Sequence, residues 1–233
     1  MTQSFTLSRR GFIVGASSTG LAVGVLASCG GPGEPDYSHL PPHPEVHAWI
    51  HVDHDDTVTV RIARSEMGQG TLTGLAQLVA EELECDWEKV ITEYPTPGEN
   101  LARERVWGDF STGGSRGVRD SHQYVREGGA AARMMLIEAA ATEWGVPVEE
   151  CVAENSTISH TGSRRETTYG RVAAAAALLA PPLEVTLKDP ADWKVIGQPK
   201  LRLDTADKLT GKQIYGADIQ MDGLLNASIK AAP

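Results

Sequence analysis

The chain has 233 residues, with 21 Lys+Arg against 31 Asp+Glu, a formal charge of −10 and 41% hydrophobic residues. That hydrophobic share excludes a wholly disordered chain, and the acidic balance excludes a nucleic-acid partner, whose phosphates such a surface repels. Cys29, Cys85 and Cys151 are too few for a disulfide framework, and no CxxC pair is present to build a zinc or iron–sulfur site.

Residues 1–29 read as an address. A polar start leads to Arg9-Arg10 and then to a weakly apolar run interrupted by Gly11, Gly15, Gly20 and Gly24, a poor helix and a poor membrane span. Ser8-Arg9-Arg10-Gly11-Phe12-Ile13 resembles the twin-arginine export signal. The expected location is therefore the periplasm, reached through the twin-arginine translocase, a route for proteins already folded and often loaded with a cofactor. Leu26-Ala27-Ser28-Cys29 resembles a lipoprotein processing box, which leaves two outcomes open: lipidation of Cys29 with anchoring to the membrane, or ordinary cleavage near Ala27. Residues 30–45 are dense in Gly and Pro and read as an extended linker.

Val46, Ala48, Ile50 and Val52 alternate with more polar residues, a turn follows at Asp53-His54-Asp55-Asp56, and Thr57–Ala63 reads as a second strand. His47 and His51 invite a metal reading with Asp53. Residues four apart on a strand are separated by about 13 Å, however, so the two histidines are expected as surface side chains on the outer face. Next comes Arg64-Ser65-Glu66-Met67-Gly68-Gln69-Gly70, ahead of a helical pattern over 73–84. Gly68 and Gly70 allow unusual φ and close backbone approach, and the Gln69 amide can pair with a heterocycle edge or a polar oxo group. A loop at a strand end and helix start is where ligands bind, although a tight turn with an incidental Gln fits the same spacing.

A second Gly-rich segment, Gly108–Gly117, carries Thr112-Gly113-Gly114-Ser115 ahead of a long helical pattern over 118–143. Hydroxyls and backbone N–H groups there suit a phosphate, and a flexible capping loop is the competing reading. It is neither a Walker loop nor a dinucleotide fingerprint. The small residues Gly128–Ala132 point to close helix packing. Downstream, a short strand over 152–160 with a turn at Thr161-Gly162, a helix over 169–179 and a strand over Leu183–Leu187 are expected, with Cys85 and Cys151 as buried free thiols.

The stretches EMGQGTLT, AQLVAEELECDWEKV, STGGSRGVR and GGAAARMMLIEAAATEWGVPVEE, with the segments 187–197 and 202–218, resemble the large subunit of molybdenum hydroxylases in the xanthine dehydrogenase superfamily. Within that family the isoquinoline 1-oxidoreductase type, with exported aldehyde dehydrogenases beside it, is nearest, and the resemblance runs over essentially the whole chain. It implies an α+β fold. Residues 46–185 would form part of a molybdopterin-binding domain, a small mixed sheet with packed helices. Residues 186–210 would be a connector, and 211–233 the start of an α/β hammerhead domain, ending in one of its strands.

The resemblance further implies a molybdenum-bearing molybdopterin cytosine dinucleotide and oxidation of aldehydes or N-heterocycles with water-derived oxygen. Electrons would pass to a separate 2Fe-2S small subunit. Gly68, Gln69 and Gly70 match the family's loop beside the pterin and metal, and Thr112, Gly113, Gly114 and Ser115 match a second pterin- or phosphate-contacting loop. Arg119 falls in the matching stretch without an assigned contact. Family subunits are several times longer, and their general-base Glu lies near the far C-terminus, where no residue of this chain matches. The chain is thus expected to be the N-terminal portion of such a subunit, inactive alone. Were a base needed within it, Glu66 is the first candidate by its place. The alternative is a short exported lipoprotein that binds a cofactor or partner without catalysis.

Overall fold

The computed structural model describes residues 44–231. Strands β1 (Glu45–His47), β2 (Ile50–Val52) and β3 (Val58–Arg61) form an antiparallel meander. Strand β4 (Val90–Glu93) joins β3 in parallel, completing a mixed four-stranded sheet in the order β1-β2-β3-β4. Ile50 pairs with Val60 and Val52 with Val58, so the alternation seen in the sequence places these four side chains on one buried face.

The opposite face was expected to carry His47 and His51 in solvent. Instead both are half-buried. The short helix α2 (Pro97–Ala102), started by a Thr96/Glu99 capping box, brings Arg103 and Trp107 over this face. Trp107 Nε1 donates to Ala48 O at 2.7 Å, and the Arg61 and Arg103 guanidinium groups lie 5.0 and 4.7 Å from its ring centre. His51 Nε2 sits 3.6 Å from Glu45 and 3.8 Å from Glu93. Among the described residues no group of three or more His, Cys, Asp or Glu is placed to hold a metal ion.

Helix α1 (Thr71–Leu83) connects β3 to its parallel neighbour β4 and packs on the core through Leu75, Val79 and Leu83. The expected long helix over 118–143 is two helices, α3 (Arg116–Arg119) and α4 (His122–Trp144). The chain bends at Asp120-Ser121 because Ser121 is fully buried and its hydroxyl receives Arg64 Nε at 3.0 Å and Tyr124 OH at 2.6 Å. The Gly128–Ala132 run does serve close packing of α4 on α1: a Cβ on Gly129 would stand 2.7 Å from Val79 O. Between these helices Glu82, with no exposure, pairs with Arg126 at 2.6 Å.

The expected strand over 152–160 divides into β5 (Cys151–Glu154) and β6 (Thr157–His160), turning at Asn155-Ser156, both left-handed. With β7 (Arg165–Thr168) they form an antiparallel sheet, followed by α5 (Tyr169–Ala176). This sheet hangs on the end of α1: Ser156 N donates to Glu84 O, and the buried Tyr169 hydroxyl donates to Leu83 O at 2.6 Å.

The strand expected over Leu183–Leu187 does not form. Leu183 is fully exposed, and the segment has no ladder partner among the described residues. The chain then runs back over α1, where the Glu81 carboxylate accepts the backbone N–H groups of Lys194, Val195 and Ile196 at 2.8, 2.6 and 3.0 Å and pairs with Lys188. Helix α6 (Thr205–Thr210) follows. Residues 219–231 form no strand and are exposed.

Cys85 and Cys151 are free and buried, and burial pushes the Cys85 thiol up to about 12. Among the described residues no helix is long and apolar enough to cross a membrane. Arg9, Arg10 and Cys29 lie outside the described residues.

Candidate cofactor-binding site

The β3–α1–β4 unit leaves residues 62–70 at the carboxyl end of a parallel strand and the amino end of a helix. An α/β layer opens its ligand crevice at that position. Gly68 and Gly70 adopt φ of +104° and +85°, which an L side chain rarely tolerates, and a Cβ on either would meet nothing within 4 Å. Open space therefore lies on the side where a side chain would project, and it is backbone conformation rather than packing that calls for glycine.

The loop is built around Glu66. Its Oε1 accepts the N–H groups of Gly68 and Gly70 at 2.7 and 3.0 Å, and its Oε2 accepts Leu72 N at 3.0 Å. Burial alone would raise the Glu66 pKa. The three N–H groups and the nearby Arg202 charge outweigh it and hold the carboxyl below the ordinary glutamate range. A carboxylate so engaged stays ionised and organises the loop, a different task from the proton acceptor suggested by its place in sequence.

Gln69 lies exposed on the crest of the loop. Its Oε1 accepts Met67 N at 2.6 Å and its Nε2 donates to Ser65 O at 2.8 Å. A primary amide offers two donors and two lone pairs, so this self-contact fixes the orientation and leaves one of each for a ligand.

The second Gly-rich segment comes to the same place. Thr112 Oγ1 accepts Ser65 N at 2.9 Å, and the buried Arg64 donates to Ser111 O as well as to Ser121. Gly117 presses on Thr71, whose Oγ1 would lie 2.7 Å from an added Cβ. Between the loops is a cleft of about 440 Å³, bounded by Met67, Gln69, Thr71, Gly114, Ser115 and Val118 among others.

Of the residues singled out in sequence, Gln69, Thr112, Gly113, Gly114 and Ser115 line this cleft directly. Gly68 lines a neighbouring cleft of about 660 Å³ that also touches Tyr94, Asp204 and Lys208. Gly70 ends the loop as the N-cap of α1. Arg119 is half of a surface pair with Asp120 at 3.0 Å and does not line the cleft. Sequence reasoning missed Arg64 and Arg202, which tie the loops together. Their separation from their partners, 57 residues for Arg64–Ser121 and 136 for Arg202–Glu66, leaves no local signal.

The profile of the molybdopterin cofactor-binding domain matches residues 8–217. The chain is 29% identical to the beta subunit of isoquinoline 1-oxidoreductase from Brevundimonas diminuta, over 99% of its own length and 34% of the relative's. It is 32% identical to a membrane-bound aldehyde dehydrogenase [pyrroloquinoline-quinone] of Gluconacetobacter polyoxogenes, covering 98% of this chain and 30% of that one. Among solved structures, quinoline 2-oxidoreductase from Pseudomonas putida 86 aligns at a TM-score of 0.43 and 20% identity, over 59% of this chain and 17% of that one. The chain thus spans about a third of the length of the curated relatives it matches. With both Gly-rich loops on one cleft and the profile covering nearly all of the described residues, the chain belongs to the molybdopterin cofactor-binding domain family.

Proposed function

We propose that the cleft between residues 65–71 and 112–118 holds part of a molybdopterin cytosine dinucleotide, within a large subunit that oxidises aldehydes or N-heteroaromatic compounds. The observation that carries this reading is the convergence of two backbone-lined loops, far apart in sequence, on one cleft at the start of α1. The donor set fits the group. Gly113 and the left-handed Gly114 bring main-chain groups to the cleft, Thr112 and Ser115 add hydroxyls, and Gln69 keeps one donor and one acceptor. When bound, the molybdenum centre would supply transfer of a water-derived oxygen and accept the substrate's electrons.

This chain's part is to bind and orient. Glu66 fixes the first loop, Gln69 offers a polar contact from it, and Thr112–Ser115 close the opposite wall. The electrons would leave through a 2Fe-2S small subunit, in keeping with relatives whose names mark each as one subunit among several. One relative is named for pyrroloquinoline quinone. The molybdopterin profile across residues 8–217 favours the molybdenum reading here. Export by the twin-arginine route, with or without a lipid on Cys29, completes the proposal and rests on Arg9-Arg10 and the Leu26–Cys29 box.

The test is Gln69→Ala in the large subunit proposed here, co-expressed with the proposed 2Fe-2S small subunit, with molybdenum measured by mass spectrometry and the released nucleotide by chromatography. Loss of a polar contact in a covered site costs about 1–3 kcal/mol, so roughly tenfold weaker retention is expected. Cytidine monophosphate is the expected nucleotide. Unchanged metal content with unchanged turnover would rule the role out.

A further inference from the structure

Resting on the cofactor reading above, the geometry points to Arg202 as a positioning residue for the Gly68-Gln69-Gly70 loop, clamping it from a segment more than a hundred residues downstream. Arg202 Nη2 donates to Glu66 Oε1 at 2.9 Å, and Nη1 donates to Gly68 O at 3.0 Å. One planar guanidinium therefore grips both the carboxylate that organises the loop and the loop's own backbone.

The guanidinium is itself aimed. Asp204, buried, receives Arg202 Nε and Nη2, both at 3.1 Å, and takes Lys208 Nζ at 2.5 Å. Leu203 N donates to Thr73 Oγ1 at 3.1 Å, which seats the segment on the first turn of α1. Glu66 N donates to Tyr94 OH at 3.3 Å. The loop that presents Gln69 is thus held by three side chains from elsewhere in the chain: Thr112, Tyr94 and Arg202. Of these, Arg202 alone brings a charge to the Glu66 carboxylate.

A positioning role makes a different forecast from plain stabilisation. Arg202→Ala should loosen residues 66–72 while leaving the interior of α1 unaffected. The readout is amide hydrogen exchange resolved by NMR on the 233-residue chain, comparing Gly68, Gly70 and Leu72, whose N–H groups Glu66 accepts, with Leu78–Leu83. Loss of the two guanidinium hydrogen bonds to the loop should speed exchange roughly tenfold or more at the three loop amides alone. Arg202→Lys should recover part of the protection, and millimolar methylguanidinium should restore it in Arg202→Ala. Unchanged loop exchange overturns the assignment. Equal acceleration along α1 also overturns it, because Arg202 would then only stabilise the fold.

The second arm measures molybdenum in the proposed large subunit. Arg202→Ala is expected to lower occupancy several-fold, with Arg202→Lys intermediate. Full occupancy in Arg202→Ala beside a deficient Gln69→Ala overturns the clamp but keeps the cofactor site. Full occupancy in both, with the loop loosened, supports the clamp and overturns the cofactor reading.

Discussion

At the scale of single residues, carboxylates do most of the organising. Glu81 shows the physics with the fewest parts. Its side chain is 1% exposed, accepts three consecutive backbone N–H groups and faces Lys188. Burial would raise its pKa, but the Lys188 ammonium and the N–H groups hold it below the ordinary range. A carboxyl whose pKa is lower folded than unfolded stabilises fully above the unfolded value and loses that contribution as pH falls through the folded one. Glu81→Gln is therefore expected to cost about 1–3 kcal/mol at neutral pH, since the three N–H groups lose a charged acceptor while Lys188 keeps Glu84 at 2.8 Å. Urea titrations should show the gap between wild type and variant narrowing below about pH 4; a gap independent of pH would refute the assignment. The run Ala80-Glu81-Glu82-Leu83-Glu84 looks in sequence like a solvated acidic helix face. Arg126 of α4 and the returning segment 188–196, both invisible to local periodicity, make it a socket.

At the scale of elements, the pair α1 and α4 sets the shape on which both loops stand. Gly129 allows the helices to touch, and the added methyl of Gly129→Ala would meet Val79 O and, at 3.0 Å, Glu82 Cβ. Backbone cannot rotate aside as a side chain can, so overpacking of about 1–3 kcal/mol is expected, read as a lowered thermal midpoint. Gly128→Ala is the control: its new Cβ would stand 3.2 Å from the Trp49 ring edge, a milder contact. Much of this level was legible in sequence. The β2–β3 hairpin follows from its alternation, and α1 and most of α4 from their periodicity. Strand β4 was not, because Val90 is its only buried side chain, and β7, Arg-Glu-Thr-Thr, carries no apolar residue at all. Helix α2 left one readable mark, the Thr96-x-x-Glu99 box, obscured by Pro95, Pro97 and Gly98. Leu183-Val185-Leu187 alternates well yet pairs with nothing described, since alternation reports the capacity to pair and not the presence of a partner.

At the scale of the whole molecule, the two Gly-rich loops singled out in sequence meet at one cleft, and the chemistry expected of it came from the resemblance. The loops' cross-ties through Arg64 and Arg202 emerged only in three dimensions. Two expectations belong here. Arg9→Lys with Arg10→Lys keeps the charge and removes the planar fork, so periplasmic accumulation should be lost on cell fractionation while synthesis continues; undiminished export would rule out the twin-arginine assignment. The 233-residue chain by itself should show no aldehyde or N-heterocycle oxidation with an artificial acceptor and should retain molybdenum far below stoichiometry. Glu66 and Asp204, the carboxylates lining the larger cleft, are both tied up in ion pairs, which leaves neither free to take a proton. Steady turnover by the chain alone would overturn that expectation.

The Arg202 clamp has a consequence in time. Its bonds to Gly68 O and Glu66 span 134 and 136 residues, among the most distant contacts of the fold. Contacts of such separation form late, after the local helices and hairpins have condensed, because the chain entropy of closing so long a loop must be met first. During synthesis, residues 65–70 leave the ribosome long before residue 202 does. A growing chain can therefore hold a finished β3–α1–β4 unit and still lack a firm lip on its cleft. The cleft lined by residues 67–118 is thus expected to hold a ligand firmly only after the later segment has folded back.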